Sequence, residues 1–362
     1  MRSAAKPVLS GHGKDIVWDG LNVSAESLLK AKTLECSVYL TRKCNLKCQY
    51  CRIVETTLPE ELSMEQWIEA MDIIEGLGVK FVNIAGGEPT VLKGLGRLIA
   101  HLNKTSMSYS VVSNSMFNDD KLDEMVDAGL KAYVASIDVL DSRDLSPHDL
   151  RKSNAGMRML EKLRLRNVPN LCANIVISAK NLNSVVVAAK YLSDSGFLVN
   201  LCPVIWGRGD KWDDAKEADP SYRLTEEHKE KLSAMAIELI EMKRAGALIV
   251  PTEAYLRGLP VHAIGLDWKC FDGNRATDPP RLIVDADGSL MTCINTRGEV
   301  SKKYTIFDLR DDVAYERFSP DWWMDAKKCK GCYWSTMVMA KERLDMLDSF
   351  RKGILKTNAN QR

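Results

Sequence analysis

From residue 35 onward, short β-branched apolar runs alternate with longer segments whose apolar residues recur every three or four positions, a pattern that predicts strand and helix in turn. Strands are expected at 35–41, 81–85, 109–113, 132–137, 171–177 and 199–205. Met64, Trp67, Ile68, Met71 and Ile74 fall on one helical stripe, and further helices are predicted at 92–102, 121–128, 154–165 and 184–192. Six such units in succession imply parallel pairing, because parallel strands can be joined only by a crossover. No repeat of solenoid period is present.

Past residue 207 the pattern changes. Residues 208–220 form a polar, charged loop, and 225–245 predict a long amphipathic helix with Leu232, Met235, Leu239 and Met242 on its core stripe. Beyond 250, segments 281–285 and 289–293 flank Ala286-Asp287-Gly288, a hairpin signal, and 332–350 reads as a final helix with Met337, Ala340, Leu344 and Leu347 on one face. Residues 1–34, with short apolar groups at 16–18 and 28–29, read as an arm or short helix, and 351–362 as a frayed basic tail. The expected organisation is an N-terminal arm (1–34), a βα core (35–207), a linker loop and helix (208–250), a C-terminal domain (251–350) and the tail.

A length of 362 residues allows roughly two domains. Fifty basic against 49 acidic residues leave a net charge of +1, which gives no electrostatic footprint for nucleic acid or an anionic membrane. The N-terminus has no apolar signal-peptide core, and no run approaches the roughly 18 apolar residues of a membrane span. A soluble, cytoplasmic chain is expected. Its ten cysteines are clustered, which reads as metal binding in a reducing compartment and not as a disulfide framework.

Three of those thiols, Cys44, Cys48 and Cys51, fall within eight residues at the end of the first predicted strand, where α/β folds place ligands. A closed zinc site needs four ligands, whereas three thiolates can hold an iron-sulfur cluster with one iron open. Zinc shared with a distant ligand and buried free thiols are the alternatives. After the second strand, Gly86-Gly87-Glu88-Pro89 is a turn in which main-chain groups can approach a ligand and the carboxylate can receive an amine. Strand alternation puts Ser136 with Asp138, Cys172 with Asn174, and Asn200 with Cys202, each pair on one face, so a polar lumen is expected. The Ser and Asn residues at strand ends read equally as helix caps. Cys270, Cys293, Cys329 and Cys332 form a second set suited to zinc or to a fully ligated 4Fe-4S cluster.

The Cys-x3-Cys-x2-Cys spacing, with Tyr50 just before the third cysteine, resembles the signature of the radical S-adenosylmethionine (radical SAM) superfamily. The resemblance implies a 4Fe-4S cluster whose open iron binds S-adenosylmethionine, and reductive cleavage of that molecule to a 5'-deoxyadenosyl radical. It implies that Gly86 to Pro89 is the GGEP motif that contacts the amino group of S-adenosylmethionine. It also implies that Ser113, Asn114, Ser136 and Asp138 reach its ribose or carboxylate, with Asn174 also facing the cofactor, and that Tyr50 and the stretch Cys202-Pro203-Val204 lie near the adenine. Arg208 would pair a substrate or cofactor carboxylate. The downstream four cysteines resemble the twitch domain, a shortened SPASM domain with one auxiliary 4Fe-4S cluster. The expected fold is therefore α/β: a partial (β/α)6 TIM-like barrel followed by a small hairpin-plus-helix cluster domain.

The function expected on this resemblance is dehydrogenation or epimerisation of a polar small molecule, such as a sugar, aminoglycoside or nucleoside, in natural-product biosynthesis. Cys202, and more weakly Cys172, are candidate hydrogen donors; both read otherwise as small buried hydrophobes. The alternative is a maturase of a ribosomal peptide, for which residues 1–34 are short as a winged-helix leader-recognition domain. A non-catalytic zinc or electron-carrier protein leaves the cysteine loop, the GGEP turn and the six βα units unexplained together. The expected partners are a small-molecule substrate and an electron donor such as flavodoxin or ferredoxin, with no nucleic acid and no membrane.

Overall fold

The computed structural model describes residues 8–9, 15–18, 21–24, 31–51, 53, 58, 60–138, 147–204, 219–265, 267–270, 279–293, 298–329 and 331–359. Strands β1 (Val8–Leu9), β2 (Asp15–Trp18) and β3 (Leu21–Ser24) form a three-stranded antiparallel sheet where an arm or short helix was expected. β2 and β3 pair antiparallel with Trp18 opposite Leu21, a pairing that a scan for helical periodicity does not register.

The core then follows the predicted order: β4 (Glu35–Tyr39), α1 (Met64–Gly76), β5 (Phe81–Ala85), α2 (Leu95–Leu102), β6 (Ser108–Ser113), α3 (Asp119–Asp127), β7 (Ala132–Ser136), α4 (Pro147–Leu165), β8 (Asn170–Ile177), α5 (Val185–Asp194) and β9 (Leu198–Pro203). All consecutive strand pairs from β4 to β9 are parallel and in simple order. The outward faces pack under the helices: Val82, Ile84, Val111, Tyr133, Ala135, Ala173, Ile175, Val199 and Leu201 are fully buried in one cluster with helical residues such as Trp67, Met71 and Ile74. The inward face is polar along two rungs. Ser37, Asn83 and Ser110 are successive register partners, with Ser110 Oγ donating to Asn83 Oδ1 at 3.0 Å. Ser136, Asn174 and Asn200 form the second rung, Asn200 Nδ2 donating to Asn174 Oδ1 at 2.7 Å.

Sequence periodicity signals six strands, but the sheet has seven. Beyond α6 (Lys229–Arg244) and α7 (Glu253–Gly265), strand β10 (Leu282–Val284) pairs in parallel with β4, placing Leu282 against Cys36 and Val284 against Val38. The expected hairpin is present as the antiparallel bridge Val284–Leu290 around the 286–288 turn, yet its first arm belongs to the half-barrel. A three-residue strand, fully buried on both faces, has no alternation to reveal which sheet it joins. Two buried ion pairs fasten it: Arg42 reaches Asp285 in bidentate fashion at 2.8 and 2.6 Å, and Arg281 pairs with Glu35 while donating to Ser37 Oγ at 2.7 Å.

Helices α7 and α8 (Asp312–Ala326) were not legible in the sequence, since Gly258 and Pro260 interrupt the first and Pro320 the second. Both run through these residues. The last helix, α9 (Ser335–Ala359), continues past the expected end at 350. Its Met337 joins Tyr39, Ile53, Ile283 and Met291 in a second apolar cluster on the lumen side, bordered by Cys51, Cys270, Trp268 and Trp334. No helix among the described residues is long and apolar enough to cross a membrane.

Candidate active site at the carboxyl end of the sheet

The segment after β4 carries Cys44, Cys48 and Cys51 and is tied to three neighbouring strand ends. Toward β5, Gly87 N donates to Thr41 O at 2.7 Å and Glu88 N to Lys43 O at 2.9 Å. A Cβ at Gly87 would stand 2.2 Å from Lys43 O, and one at Gly86, whose φ is 137°, would stand 2.6 Å from Thr41 O. Both glycines are thus required by the close approach of the cysteine loop. Glu88 is almost completely buried. Its carboxylate accepts from Thr90 N (3.1 Å), Thr90 Oγ1 (2.7 Å), Ser113 Oγ (2.8 Å) and Asn114 N (2.7 Å). Burial pushes its pKa up, against the pull of these donors. In this structure the carboxylate is the hub that joins the glycine turn to the end of β6.

Toward β6, Asn114 Nδ2 donates to Asn45 Oδ1 at 2.8 Å and approaches Cys44 Sγ at 3.7 Å, while Asn45 Nδ2 donates to Met116 O at 2.6 Å. Ser115 has a positive φ of 63°, uncommon for a residue with a side chain, and is held there by Ser113 Oγ and Tyr133 Oη. Ser113 and Asn114, expected to reach the ribose or carboxylate of S-adenosylmethionine, bond to Glu88 and to the cysteine loop in this structure.

Toward β7 and β8, Tyr50 Oη donates to Asp138 Oδ2 at 2.6 Å, and Lys152 from α4 donates to Tyr50 Oη at 2.6 Å and to Asp138 Oδ2. Asp138 Oδ1 also accepts from Val176 N at 3.3 Å. Asp138, expected to reach the ribose or carboxylate of S-adenosylmethionine, has its oxygens engaged by protein groups in this structure. Tyr222 stacks obliquely on Tyr50, ring centroids 5.6 Å apart, and donates to Gln49 Oε1 at 3.2 Å. Lys152 and Tyr222 escaped the sequence reading. A signal for Lys152 existed: a lysine at 152 continues the stripe of Gly156, Met159 and Leu163 on the buried face of α4, where a charge is expensive unless paired.

Ser136 and Asn174 line the lumen below Asp138; Val204 and Cys202 are buried at the end of β9. Cys202 lies beside Ser335, and desolvation pushes its thiol up to about 11; Cys172, two rungs lower on β8 beyond the Asn174–Asn200 pair, is pushed up to about 12. Arg208 lies outside the described residues.

Among the described residues no three His, Cys, Asp or Glu side chains are gathered in metal-binding geometry. The donor chemistry of the loop nevertheless fits a cluster. Desolvation raises the Cys44 and Cys48 thiols, Cys48 to about 12, and the two lie within electrostatic reach of each other and of Cys51. Buried thiols that raise one another are stable as thiolates only with a cation between them. Leu46 N, 3.4 Å from Cys44 Sγ, and Asn114 Nδ2 supply the hydrogen bonds that a metal-bound sulfur accepts. Downstream, Cys270, Cys329 and Cys332 are likewise mutually coupled, Cys332 N donates to Trp268 O at 2.8 Å, and Cys293 lies near Tyr39.

Comparison with known proteins agrees with this geometry. Residues 38–192 match the radical SAM superfamily family model. The sporulation killing factor maturation protein SkfB of Bacillus subtilis is 27% identical over 203 residues, covering 54% of this chain and 48% of SkfB. The GTP 3',8-cyclase of Aquifex aeolicus is 23% identical over 314 residues, covering 80% of this chain and 88% of the cyclase, whereas the match to the Campylobacter fetus cyclase, 34% identical, spans 34% of that protein. The chain thus spans about half the length of SkfB and a third of the Campylobacter enzyme. Among solved structures, Streptococcus suis SuiB bound to S-adenosylmethionine superposes with a TM-score of 0.57 at 16% identity over 80% of this chain and 68% of SuiB. Native anSMEcpe with bound AdoMet and Cp18Cys peptide superposes with a TM-score of 0.54 at 15% identity over 89% of this chain and 99% of its own. The cysteine loop and the glycine turn both lie within residues 38–192, the segment that matches the radical SAM superfamily.

Proposed function

We propose that the protein is a radical SAM enzyme that cleaves S-adenosylmethionine reductively and uses the resulting radical to modify a peptide. The observation that carries the enzyme reading is the loop of Cys44, Cys48 and Cys51, held over the open end of the half-barrel by the ends of β5, β6 and β7. A 4Fe-4S cluster bound there would supply the electron for cleavage and an iron for the amino and carboxylate groups of S-adenosylmethionine. The chain's own part is to fix the three sulfurs, to exclude water and to present a lumen of Asn83, Ser110, Ser136, Asn174 and Asn200 to the substrate. Asn200 Oδ1 is buried there without a hydrogen-bond partner in this structure, an acceptor suited to an amide or hydroxyl. A peptide is favoured over the sugar or aminoglycoside expected from the sequence, because SkfB is a maturation protein, SuiB has been solved with the precursor peptide SuiA, and anSMEcpe with a peptide.

Cys270, Cys293, Cys329 and Cys332 would hold a second cluster that exchanges electrons with the substrate or with a donor such as flavodoxin. Cys202 remains the candidate hydrogen donor for an epimerising reaction, with Cys172 two rungs below. A second reading, a nucleotide substrate, is favoured by the match to the Aquifex cyclase along most of both chains.

Anaerobic reconstitution followed by iron and sulfide analysis, then addition of dithionite and S-adenosylmethionine, tests the enzyme reading: 5'-deoxyadenosine is expected, and its absence, or zinc in place of iron, sinks it. Running the same reaction with perdeuterated peptides or with perdeuterated GTP tests the substrate class. Deuterium in 5'-deoxyadenosine from peptide is expected; transfer from GTP alone would replace the peptide reading by the nucleotide one.

A further inference from the structure

Lys152 is a buried ammonium paired with a buried carboxylate. Its side chain is 3% exposed, and exchanging a buried ion pair for apolar residues of similar size is often neutral or stabilising. The chain nevertheless accommodates it at some cost. Gly156, one turn further along α4, would with a Cβ meet Ile137 Cγ1 at 2.7 Å and Ser136 O at 3.1 Å, so the helix is drawn onto the end of β7 by an interior glycine worth about 1 kcal/mol of helix propensity. The close approach delivers two consecutive residues to Asp138: Ser153 Oγ accepts from Asp138 N at 3.1 Å, and Lys152 Nζ binds the carboxylate. The same ammonium donates to Tyr50 Oη and lies 5.2 Å from the Tyr50 ring centroid, two residues from Cys48 and next to Cys51.

Asp138 by itself would place a buried negative charge under the cysteine loop, opposing both thiolates and the extra electron of a reduced cluster. Tyr50 is a neutral donor and cannot cancel it. Among the described residues, the groups facing Lys152 include one carboxylate, one phenol and the loop's sulfurs, with Val176 N and Ser153 around Asp138. We propose that Lys152 is a positioning residue of the radical SAM site that neutralises Asp138 beneath Cys48, keeping the bound cluster reducible while locking Tyr50 in place. The inference rests on the reading that Cys44, Cys48 and Cys51 hold a 4Fe-4S cluster.

The test is a redox titration of the anaerobically reconstituted full chain, followed by the electron paramagnetic resonance of the reduced cluster whose signal changes on adding S-adenosylmethionine. Lys152→Met is expected to lower the reduced-to-oxidised ratio at a fixed potential about tenfold, which is 59 mV for a one-electron couple. Lys152→Arg is expected to stay near the wild type, and the double variant Lys152→Met with Asp138→Asn to return most of the way, because it restores neutrality while leaving the lock broken. A Lys152→Met protein with its full iron and an unmoved midpoint overturns the proposal. If that variant takes up no iron, Asp138→Asn decides: its midpoint is expected to rise, and an unchanged value overturns the proposal equally. A wild-type chain with no such cluster signal overturns the underlying cluster reading, and does so before any variant is made.

Discussion

Gly87 shows how narrowly single residues define the site. Its missing side chain lets the carbonyl of Lys43 lie against the GGEP turn, and that carbonyl is main chain, which cannot swing away. Gly87→Ala is expected to shift the cysteine loop, lower iron uptake on reconstitution several-fold and cost about 1–3 kcal/mol, measurable by iron content and thermal denaturation of one preparation. Wild-type iron loading would show that the loop is held elsewhere. Arg42, two residues before Cys44, presents the same argument in charge. Its bidentate bond to Asp285 is buried, so Asp285→Ala removes the carboxylate from a buried guanidinium and is expected to destabilise the chain by about 3–5 kcal/mol in urea denaturation. A loss below about 1 kcal/mol would mean that water reaches the pair.

Individual elements owe their places to a few contacts apiece. Helix α1 begins at a reciprocal capping box, Ser63 with Gln66, and buries Trp67, Ala70, Met71 and Ile74 against the sheet. Trp67 also donates from Nε1 to Leu40 O at 3.2 Å, reaching the residue that leads from β4 into the cysteine loop. Trp67→Ala is expected to cost about 3–5 kcal/mol, and to increase hydrogen exchange in 40–51 more than in β8; uniform exchange changes would confine Trp67 to general packing. Helix α7 owes its interior glycine to a neighbour: a Cβ at Gly258 would stand 1.9 Å from Tyr333 Oη, which donates to Tyr255 O at 2.9 Å with the two rings stacked 4.9 Å apart. The residue that hid α7 from a propensity reading is therefore the one its packing demands.

For the molecule as a whole, the C-terminal region closes one edge of the half-barrel. Arg281 from the start of β10 and Arg343 from α9 both converge on Glu35 in β4. Desolvation pulls the Glu35 pKa up, but the two guanidinium groups outweigh it, and the net shift is downward from 4.5. A carboxylate held lower in the folded than in the unfolded chain contributes stability that is full above the unfolded value and is lost as pH falls through the folded one. The stability gap between wild type and Glu35→Gln is thus expected to be largest near neutral pH and to shrink below about 4.5, the unfolded range, in urea titrations across that window. A gap that widens with acid would reverse the assigned sign.

The sequence by itself determined the parallel βα core and the cysteine loop. Alternating strands and helical stripes are local signals, and three thiols within eight residues stay together however the chain folds. It also placed Glu88, Ser113, Asn114 and Asp138 at strand ends, since a strand's length fixes where its last residue emerges. Only the tertiary structure decided what those residues touch. Lys152 meets Tyr50 across 102 positions and Arg42 meets Asp285 across 243, and no period or propensity encodes such pairings. For the same reason β10, three apolar residues without alternation, became a barrel strand through its partner and not its pattern.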